Sequence, residues 1–400
     1  MKSHAYDPIW AFRTALRARA ARWQRQQLLS LAQLAAIEAA YPLDYYRPVW
    51  PLRVALFIFT CIGLGLAGSF AFLMTGGEAP FAAGVLFCGI CFGALELLIS
   101  SNRHYHAGAD NALLYSGLAA AVGLIFYVFF EFMWVHQPHD NFNLTNGHLL
   151  IPLLLVLAVL LAAAVRYADA VVTAVAFGTV LLLVVVAGLQ SAMGQVLLPF
   201  LAMGTAGSAL LLHRGLVRRV AGTPLADYYA SSLLTLKVLA LAVLYLGGNY
   251  LVVREGNAEL RGNYRSQQVP FAPIFYLLTT GIPLLYLTLG LRRADRPTLL
   301  LGLLTLAFSL FTLRYYRSLL PPETAAVMAG AVLTVGAGLL LRTLRPARFG
   351  LTALPDDEPR HFNLENLIQA QTAHAPGAPA GRAFEFGGGA SGGGGATGQF

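Results

Sequence analysis

The chain has 400 residues, of which 57% are hydrophobic and only 12% are charged, and its mean hydropathy is +0.63. A soluble domain needs far more charge on its water-facing surface, so this composition excludes a soluble globular protein. The formal net charge of +8 does not indicate nucleic-acid binding, because the arginines lie at the ends of apolar runs and form no long basic stretch. We therefore expect the lipid bilayer as a partner and no nucleic acid.

Residues 1–51 are too polar for a signal peptide and predict basic amphipathic helices on the cytoplasmic side. Arginines and tryptophans recur at helical spacing in the first helix, at positions Trp10, Arg13, Arg17, Arg19, Arg22, Trp23 and Arg25. Such a helix can lie on an anionic membrane surface, or it can be a solvated helix that fixes topology, and both interpretations stay open. Ser30 is the expected N-cap of a second short helix that ends before Pro42.

Ten apolar runs within residues 52–341 are each long enough to cross a bilayer core about 30 Å thick. They occupy residues 52–74, 80–100, 111–134, 149–166, 169–189, 194–213, 231–253, 271–291, 297–314 and 323–341. Lys and Arg concentrate in alternate connections, and the predicted outer loops contain only Arg254, Arg261, Arg265, Arg314 and Arg317. The positive-inside rule then places both termini in the cytoplasm. The sequence thus predicts an all-α, polytopic transmembrane helix bundle of about ten spans.

One part of this topology has two interpretations. Arg166 and Asp169 interrupt the apolar sequence between residues 149 and 189. They mark either a tight hairpin between two spans or a polar kink within one interrupted span.

Residues 342–400 predict a cytoplasmic tail. It leaves the membrane through basic residues and ends in a Gly-rich sequence of low complexity, which cannot build a core and predicts disorder. Either the N-terminal helices or this tail could bind cytoplasmic protein partners.

The N-terminal segment also carries a family resemblance. Trp23 begins the sequence WQRQQLLSLAQ, and Ala39 begins AAYP shortly before the first span. This pattern resembles the N-terminus of a bacterial family of predicted polytopic integral membrane proteins of unknown function. The resemblance covers about forty residues, implies a multi-pass protein of the bacterial inner membrane, and supplies no catalytic residue or substrate.

Ionisable side chains inside membrane spans are costly, so they are the first functional candidates. Glu96 lies in the second run, Glu131 near the outer end of the third, and Lys237 in the seventh. Glu96 and Lys237 lie at similar depths near the cytoplasmic ends of their helices. They could therefore pair as a coupling or gating pair if those helices touch, or each could extend to the cytoplasmic interface instead.

The connection after the second run offers a further polar group. His104, His106 and Asp110 could bind a metal or pass protons near neutral pH. Asp110 or Asn111 also stands where the third membrane helix needs an N-cap, and this structural role is the favoured interpretation. We expect no metal site and no cofactor.

Glycine and proline positions indicate how the membrane helices pack and bend. A GxxxG motif at Gly89 and Gly93 predicts close helix approach, and Pro273 and Pro283 mark the eighth run as a kinked, path-lining helix. No motif of a known enzyme class is present, so we do not expect an enzyme. Permease-like transport of a small solute, lipid or proton is the first hypothesis, and a non-catalytic membrane scaffold or sensor is the second.

Overall fold

The computed structural model describes residues 4–74, 79–133, 147–260, 266 and 268–316, together with scattered helical positions between 327 and 342. Within these residues the chain is a bundle of α-helices, and the only β-type pairing is a single bridge between Tyr46 and His104. The predicted all-α polytopic bundle is therefore confirmed. More than half of the tenth predicted run and all of the Gly-rich tail lie outside the described residues.

Nine helices among the described residues are long and apolar enough to cross a membrane. They are α3 (Trp50–Met74), α4 (Pro80–Ser100), α5 (Ala109–Met133), α6 (Leu150–Tyr167), α7 (Ala170–Leu189), α8 (Ala192–Val220), α10 (Ala230–Gly248), α12 (Ala272–Arg292) and α13 (Arg296–Tyr316). Two shorter helices, α9 (Leu225–Tyr228) and α11 (Tyr250–Leu260), flank α10.

The N-terminal segment forms α1 (Pro8–Arg25) and α2 (Leu31–Ala40). Ser30 caps α2 as predicted, because its hydroxyl accepts from the Gln33 amide while the Gln33 side chain accepts from the Ser30 amide. Helix α1 is packed on the bundle, since its Ala11 and Ala20 are buried. It therefore differs from an entirely solvated helix.

The interruption at residues 166–169 is a tight hairpin between two spans. Ala168 adopts the left-handed conformation with φ of 50°, and this ends α6. The Asp169 carboxylate then accepts from the Val171 and Val172 amides and caps α7. The two-span interpretation is confirmed.

Segments that the sequence places on one side of the membrane meet at one end of the bundle, which we call the N-terminal face. It consists of α1, α2, residues 101–108, the 168–169 turn, residues 221–229 and residues 293–295. Direct contacts join these segments, including a hydrogen bond from the Ala5 amide to the Arg166 carbonyl and the Arg19–Asp227 ion pair. The predicted alternation of connections agrees with this arrangement.

The close helix contacts are not at the predicted GxxxG motif. Space for a Cβ atom is free at both Gly89 and Gly93, so these glycines bring no described helix near α4. At Gly117 of α5, an added Cβ would lie 3.1 Å from Cys91 of α4, and at Gly290 of α12 it would lie 2.8 Å from the Leu299 amide of α13. The prediction was wrong because a small-residue motif does not specify which face of its helix has a partner.

Candidate functional site

A buried tyrosine attaches the N-terminal segment to the bundle. Tyr6 is 1% exposed, and its hydroxyl donates a 2.8 Å hydrogen bond to the Asp110 carboxylate, which is fully buried. The same carboxylate accepts from the Gly108 and Asn111 amides. Asp110 is therefore structural, but it is not the predicted N-cap, because α5 begins at Ala109 and Asp110 lies within its first turn. Burial, followed by the neighbouring Asp110 charge, raises the pKa of Tyr6 well above its usual value, and its hydroxyl stays a donor at neutral pH.

A second buried carboxylate belongs to the same region. Asp169 is 5% exposed and accepts a 3.0 Å hydrogen bond from the Tyr115 hydroxyl in addition to capping α7. From the sequence, Asp169 was expected only to mark a break between helices, and Tyr6 was not identified at all. An aspartate directly after a helix-ending residue was the available signal for the cap.

The two candidate histidines contact different residues. The His106 Nδ1 atom lies 3.2 Å from the Asn111 side-chain oxygen, and its ring packs on Tyr6, whereas the His104 ring packs on Tyr46. Burial lowers the pKa of His106, although the Asp110 and Asp169 charges oppose this effect. The described residues contain no group of three His, Cys, Asp or Glu side chains placed to share a metal ion.

Glu96 forms an ion pair with a residue of α6. Its carboxylate accepts from the Arg166 guanidinium at 2.7 and 3.0 Å and from the Tyr167 hydroxyl at 2.9 Å. These bonds hold α4 against the end of α6 near the N-terminal face.

Lys237 belongs to a different ion pair, so the predicted pairing of Glu96 with Lys237 is wrong. Its ammonium group contacts the Asp295 carboxylate in the turn between α12 and α13, and Asp295 also accepts from the Thr298 hydroxyl at 2.7 Å. Burial raises the pKa of Asp295, but its bonds with Lys237 and Thr298 outweigh burial and lower it overall. Glu96 lies on α4 and Lys237 lies on α10, and these two helices pack against different neighbours. No sequence pattern indicated this difference.

Glu131, the third candidate inside a span, is exposed near the far end of α5. It lies at the opposite end of that helix from Asp110. It therefore does not join the polar groups of the N-terminal face.

The opposite end of the bundle, which we call the opposite face, has its own buried polar cluster. The Asn249 side chain is fully buried and donates to the Tyr245 hydroxyl and the Thr312 hydroxyl at 2.8 and 3.1 Å. The Thr279 hydroxyl accepts from the Tyr250 amide at 2.9 Å. These bonds connect the end of α10 to α13 and the start of α11 to α12. Thr279 of α12 therefore has a structural role and does not face a transport path.

An apolar cavity lies between α6, α7, α8 and α10, in the half of the bundle next to the N-terminal face. We call it the N-side cavity; its volume is about 670 Å³. Its wall is almost entirely apolar and consists of Leu161, Ala164, Val165, Thr173, Ala176, Phe177, Val180, Thr205, Ser208, Ala209, Leu212, Leu216, Val220, Tyr229, Ser232, Leu233 and Leu236. Leu161, Val165 and Leu212 are each at least half exposed, so the cavity opens sideways from the bundle.

A second cavity of about 310 Å³ lies towards the opposite face. We call it the far-side cavity. Residues of α7, α8 and α10 form most of its wall, with contributions from α11 and from the start of α12. Helix α12, which the sequence favoured as the path-lining helix, contributes only Phe275 to this wall.

The two cavities follow one another along three shared helices. On α8, Ala202 lines the far-side cavity and Thr205 lines the N-side cavity, and these two residues are about 4.5 Å apart along the helix axis. Phe177, Ala209 and Ala240, one from each of the three helices, form a buried cluster, and Phe177 and Ala209 also line the N-side cavity. The two cavities thus lie in sequence along the α7–α8–α10 seam.

Comparison with known proteins adds no relative to these observations. No family model, no curated protein and no solved structure matches the chain.

Proposed function

We propose that this multi-pass membrane protein moves an amphipathic molecule with an apolar chain, such as a membrane lipid, along the α7–α8–α10 seam. The observation that carries the proposal is the pair of apolar cavities that follow one another along the same three helices, α7, α8 and α10. Cavities of roughly 300–1,000 Å³ are typical of small-molecule binding sites. The proposal assigns no chemical reaction to the protein.

The lining favours an apolar chain over an ion or a proton as cargo. Thr173, Thr205, Ser208 and Ser232 are the main polar residues of the N-side cavity, and no charged side chain lines either cavity among the described residues. An ion moving through such a wall would lose its hydration without gaining a charged partner. An acyl chain would instead keep an environment like the bilayer.

Helix α8 contains a proline that supports bending of this helix between the two cavities. Pro199 lies inside α8 and lines the far-side cavity, and a proline removes one backbone hydrogen bond at that point. Across from it, an added Cβ at Gly247 of α10 would lie 3.0 Å from the Pro199 carbonyl. Bending of α8 at Pro199, away from this close contact, would join the two cavities.

Charged pairs lie beside the seam and not within it. Lys237 follows Leu236, which lines the N-side cavity, and its bond to Asp295 ties α10 to the α12–α13 turn. In this proposal the Lys237–Asp295 pair controls how far α10 can move. The Glu96–Arg166 pair restrains α6 in the same way.

The test is lipid movement in proteoliposomes. Purified protein is reconstituted with a fluorescent phospholipid, and the rate at which the probe crosses between leaflets is followed by chemical quenching from outside. We expect wild-type protein to accelerate crossing over protein-free vesicles. Leu212→Trp, which places a larger side chain in the N-side cavity, should slow it several-fold.

Leu211→Trp is the matched control, because Leu211 is 67% exposed on the same helix and does not line the cavity. This variant should keep the wild-type rate. An absence of acceleration by wild-type protein, or equal loss in both variants, would contradict the proposal.

The second hypothesis, a membrane scaffold or sensor, has one supporting observation. Helix α2 and the residues before it expose Leu28 and Leu31, which are 68% and 73% exposed. An exposed apolar surface of this kind fits a protein partner on the cytoplasmic side. Leu31→Asp should then abolish capture of that partner by the purified protein without changing the yield of folded protein.

The bacterial inner membrane and a cytoplasmic N-terminal face belong to the same proposal. The concentration of Lys and Arg in the segments of the N-terminal face supports this orientation.

A further inference from the structure

A basic side chain of α8 lies beside the N-side cavity, between the lining residues Leu216 and Val220. On α8 the lining residues Thr205, Leu212 and Leu216 recur at helical spacing. Arg219 follows Leu212 by seven residues and Leu216 by three, which places it on the same face of the helix. It is the first charged position on this face as α8 approaches the N-terminal face.

Arg219 is exposed, and it forms no ion pair with any carboxylate in the part of the chain that the structure describes. Arg218 and Arg214 are also exposed on the last turns of α8. The end of this helix therefore carries uncompensated positive charge.

The length of α8 places that charge at the membrane surface. Its 29 residues extend roughly 43 Å, whereas the apolar core of a bilayer is about 30 Å thick. The arginine-bearing turns therefore extend beyond the apolar core to the level of the lipid headgroups, while the lining residues before them stay within the core.

We propose that the N-side cavity binds one acyl chain of an anionic phospholipid and that Arg219 binds its phosphate. The inference rests on the proposed function and specifies the headgroup that the path accepts. Guanidinium and phosphate form short, charge-assisted hydrogen bonds, and the positive charge of the Arg219 guanidinium disfavours a headgroup that carries its own positive charge. The sideways opening at Leu161, Val165 and Leu212 gives the acyl chain access from the bilayer.

The test uses full-length protein in nanodiscs of equal parts phosphatidylglycerol and phosphatidylcholine. In parallel samples, one or the other lipid carries a photoreactive diazirine on its acyl chain, and labelled peptides are identified by mass spectrometry. Labelling should concentrate on the peptides of α7, α8 and α10 that line the N-side cavity. Phosphatidylglycerol should label them about fivefold more than phosphatidylcholine, which corresponds to about 1 kcal/mol for one basic residue at an anionic surface.

Three variants assign this preference to Arg219. Arg219→Gln should reduce phosphatidylglycerol labelling to the phosphatidylcholine level, whereas Arg219→Lys should keep most of it. Arg214→Gln makes the same change of charge on the other side of α8 and should leave the preference intact.

The possible failures are distinguishable. Equal cavity labelling by both lipids, or equal effects of Arg219→Gln and Arg214→Gln, would overturn the headgroup assignment and leave the apolar path in place. Labelling spread over the outer surfaces of the bundle, with none at the cavity, would overturn the proposed function as well.

Discussion

The hydrogen bond between Tyr6 and Asp110 joins the N-terminal segment of the chain to the start of a membrane helix. Asp110 is fully buried, so its negative charge depends on the donors that surround it. Hydrogen bonds to charged groups contribute about 1.5–3 kcal/mol. Tyr6→Phe should therefore lower the thermal unfolding temperature by several degrees in detergent, measured by intrinsic fluorescence.

Tyr46→Phe is the control for this change. Tyr46 is 43% exposed and packs on His104 through its ring, which phenylalanine retains. Its unfolding temperature should stay within a degree or so of wild type. Equal shifts in the two variants would show that the Tyr6 hydroxyl contributes nothing specific.

The two ion pairs make a prediction about coupling. Residues in direct contact show coupling energies of about 0.5–3 kcal/mol, whereas distant substitutions add to within about 0.5 kcal/mol. In a double-mutant cycle, Glu96→Gln with Arg166→Gln should be non-additive in unfolding free energy. Glu96→Gln with Lys237→Met should be additive, because Lys237 contacts Asp295 instead.

Denaturant unfolding in mixed micelles measures the three single variants and both doubles. Strong coupling between Glu96 and Lys237 would contradict the observed pairing and restore the pair that the sequence suggested.

At this scale the sequence identified one member of each polar contact and not its partner. Glu96, Asp110 and Lys237 are visible because an ionisable residue stands out in or beside an apolar run. Their partners lie 70, 104 and 58 residues away in the chain. Only the packing of helices brings such positions together, and periodicity within one helix contains no information about it.

At the scale of elements, the helices themselves could be predicted well. Apolar length determines each span, and short polar signals such as Ser30 and Asp169 determine where helices begin. The neighbours of each helix could not be predicted, as the open surface at Gly89 and Gly93 illustrates. For the same reason the path was expected along α12, whereas the cavities lie along α7, α8 and α10.

The contact between α12 and α13 tests which glycines are required for packing. An added Cβ at Gly302 would lie 3.0 Å from the Leu287 amide and 3.1 Å from the Tyr286 Cβ, so Gly302→Ala forces the two helices apart. Overpacking of this kind costs about 1–3 kcal/mol. The variant should unfold at a lower temperature than wild type.

Gly281→Ala provides the comparison within the same helix pair. No atom lies within 4 Å of an added Cβ at Gly281, and alanine favours a helix interior by about 0.5–1 kcal/mol over glycine. Its unfolding temperature should equal or exceed that of wild type. A larger loss at Gly281 than at Gly302 would mean that the α12–α13 contact differs from the one described.

At the scale of the whole molecule, the distribution of charge and the packing of helices assign the same segments to the same end of the bundle. The Arg-rich connections and α1 share the N-terminal face, while the turn at residues 190–191 lies at the opposite face. This agreement is informative because the positive-inside rule uses composition alone and the helix contacts arise from packing. In the orientation that we propose, the N-side cavity faces the cytoplasmic leaflet, whose anionic lipids would meet Arg219.

Cysteine accessibility tests this orientation across a single helix. Ala192 is exposed at the first residue of α8, at the opposite face. Thr223 is exposed three residues beyond the end of α8, at the N-terminal face. In intact cells a membrane-impermeant maleimide should label Ala192→Cys, and it should label Thr223→Cys only after permeabilisation. The wild-type chain, whose Cys61, Cys88 and Cys91 lie within α3 and α4, measures the background. The reverse pattern would turn the N-side cavity towards the outer leaflet, so the lipid bound at Arg219 would have to come from that leaflet instead.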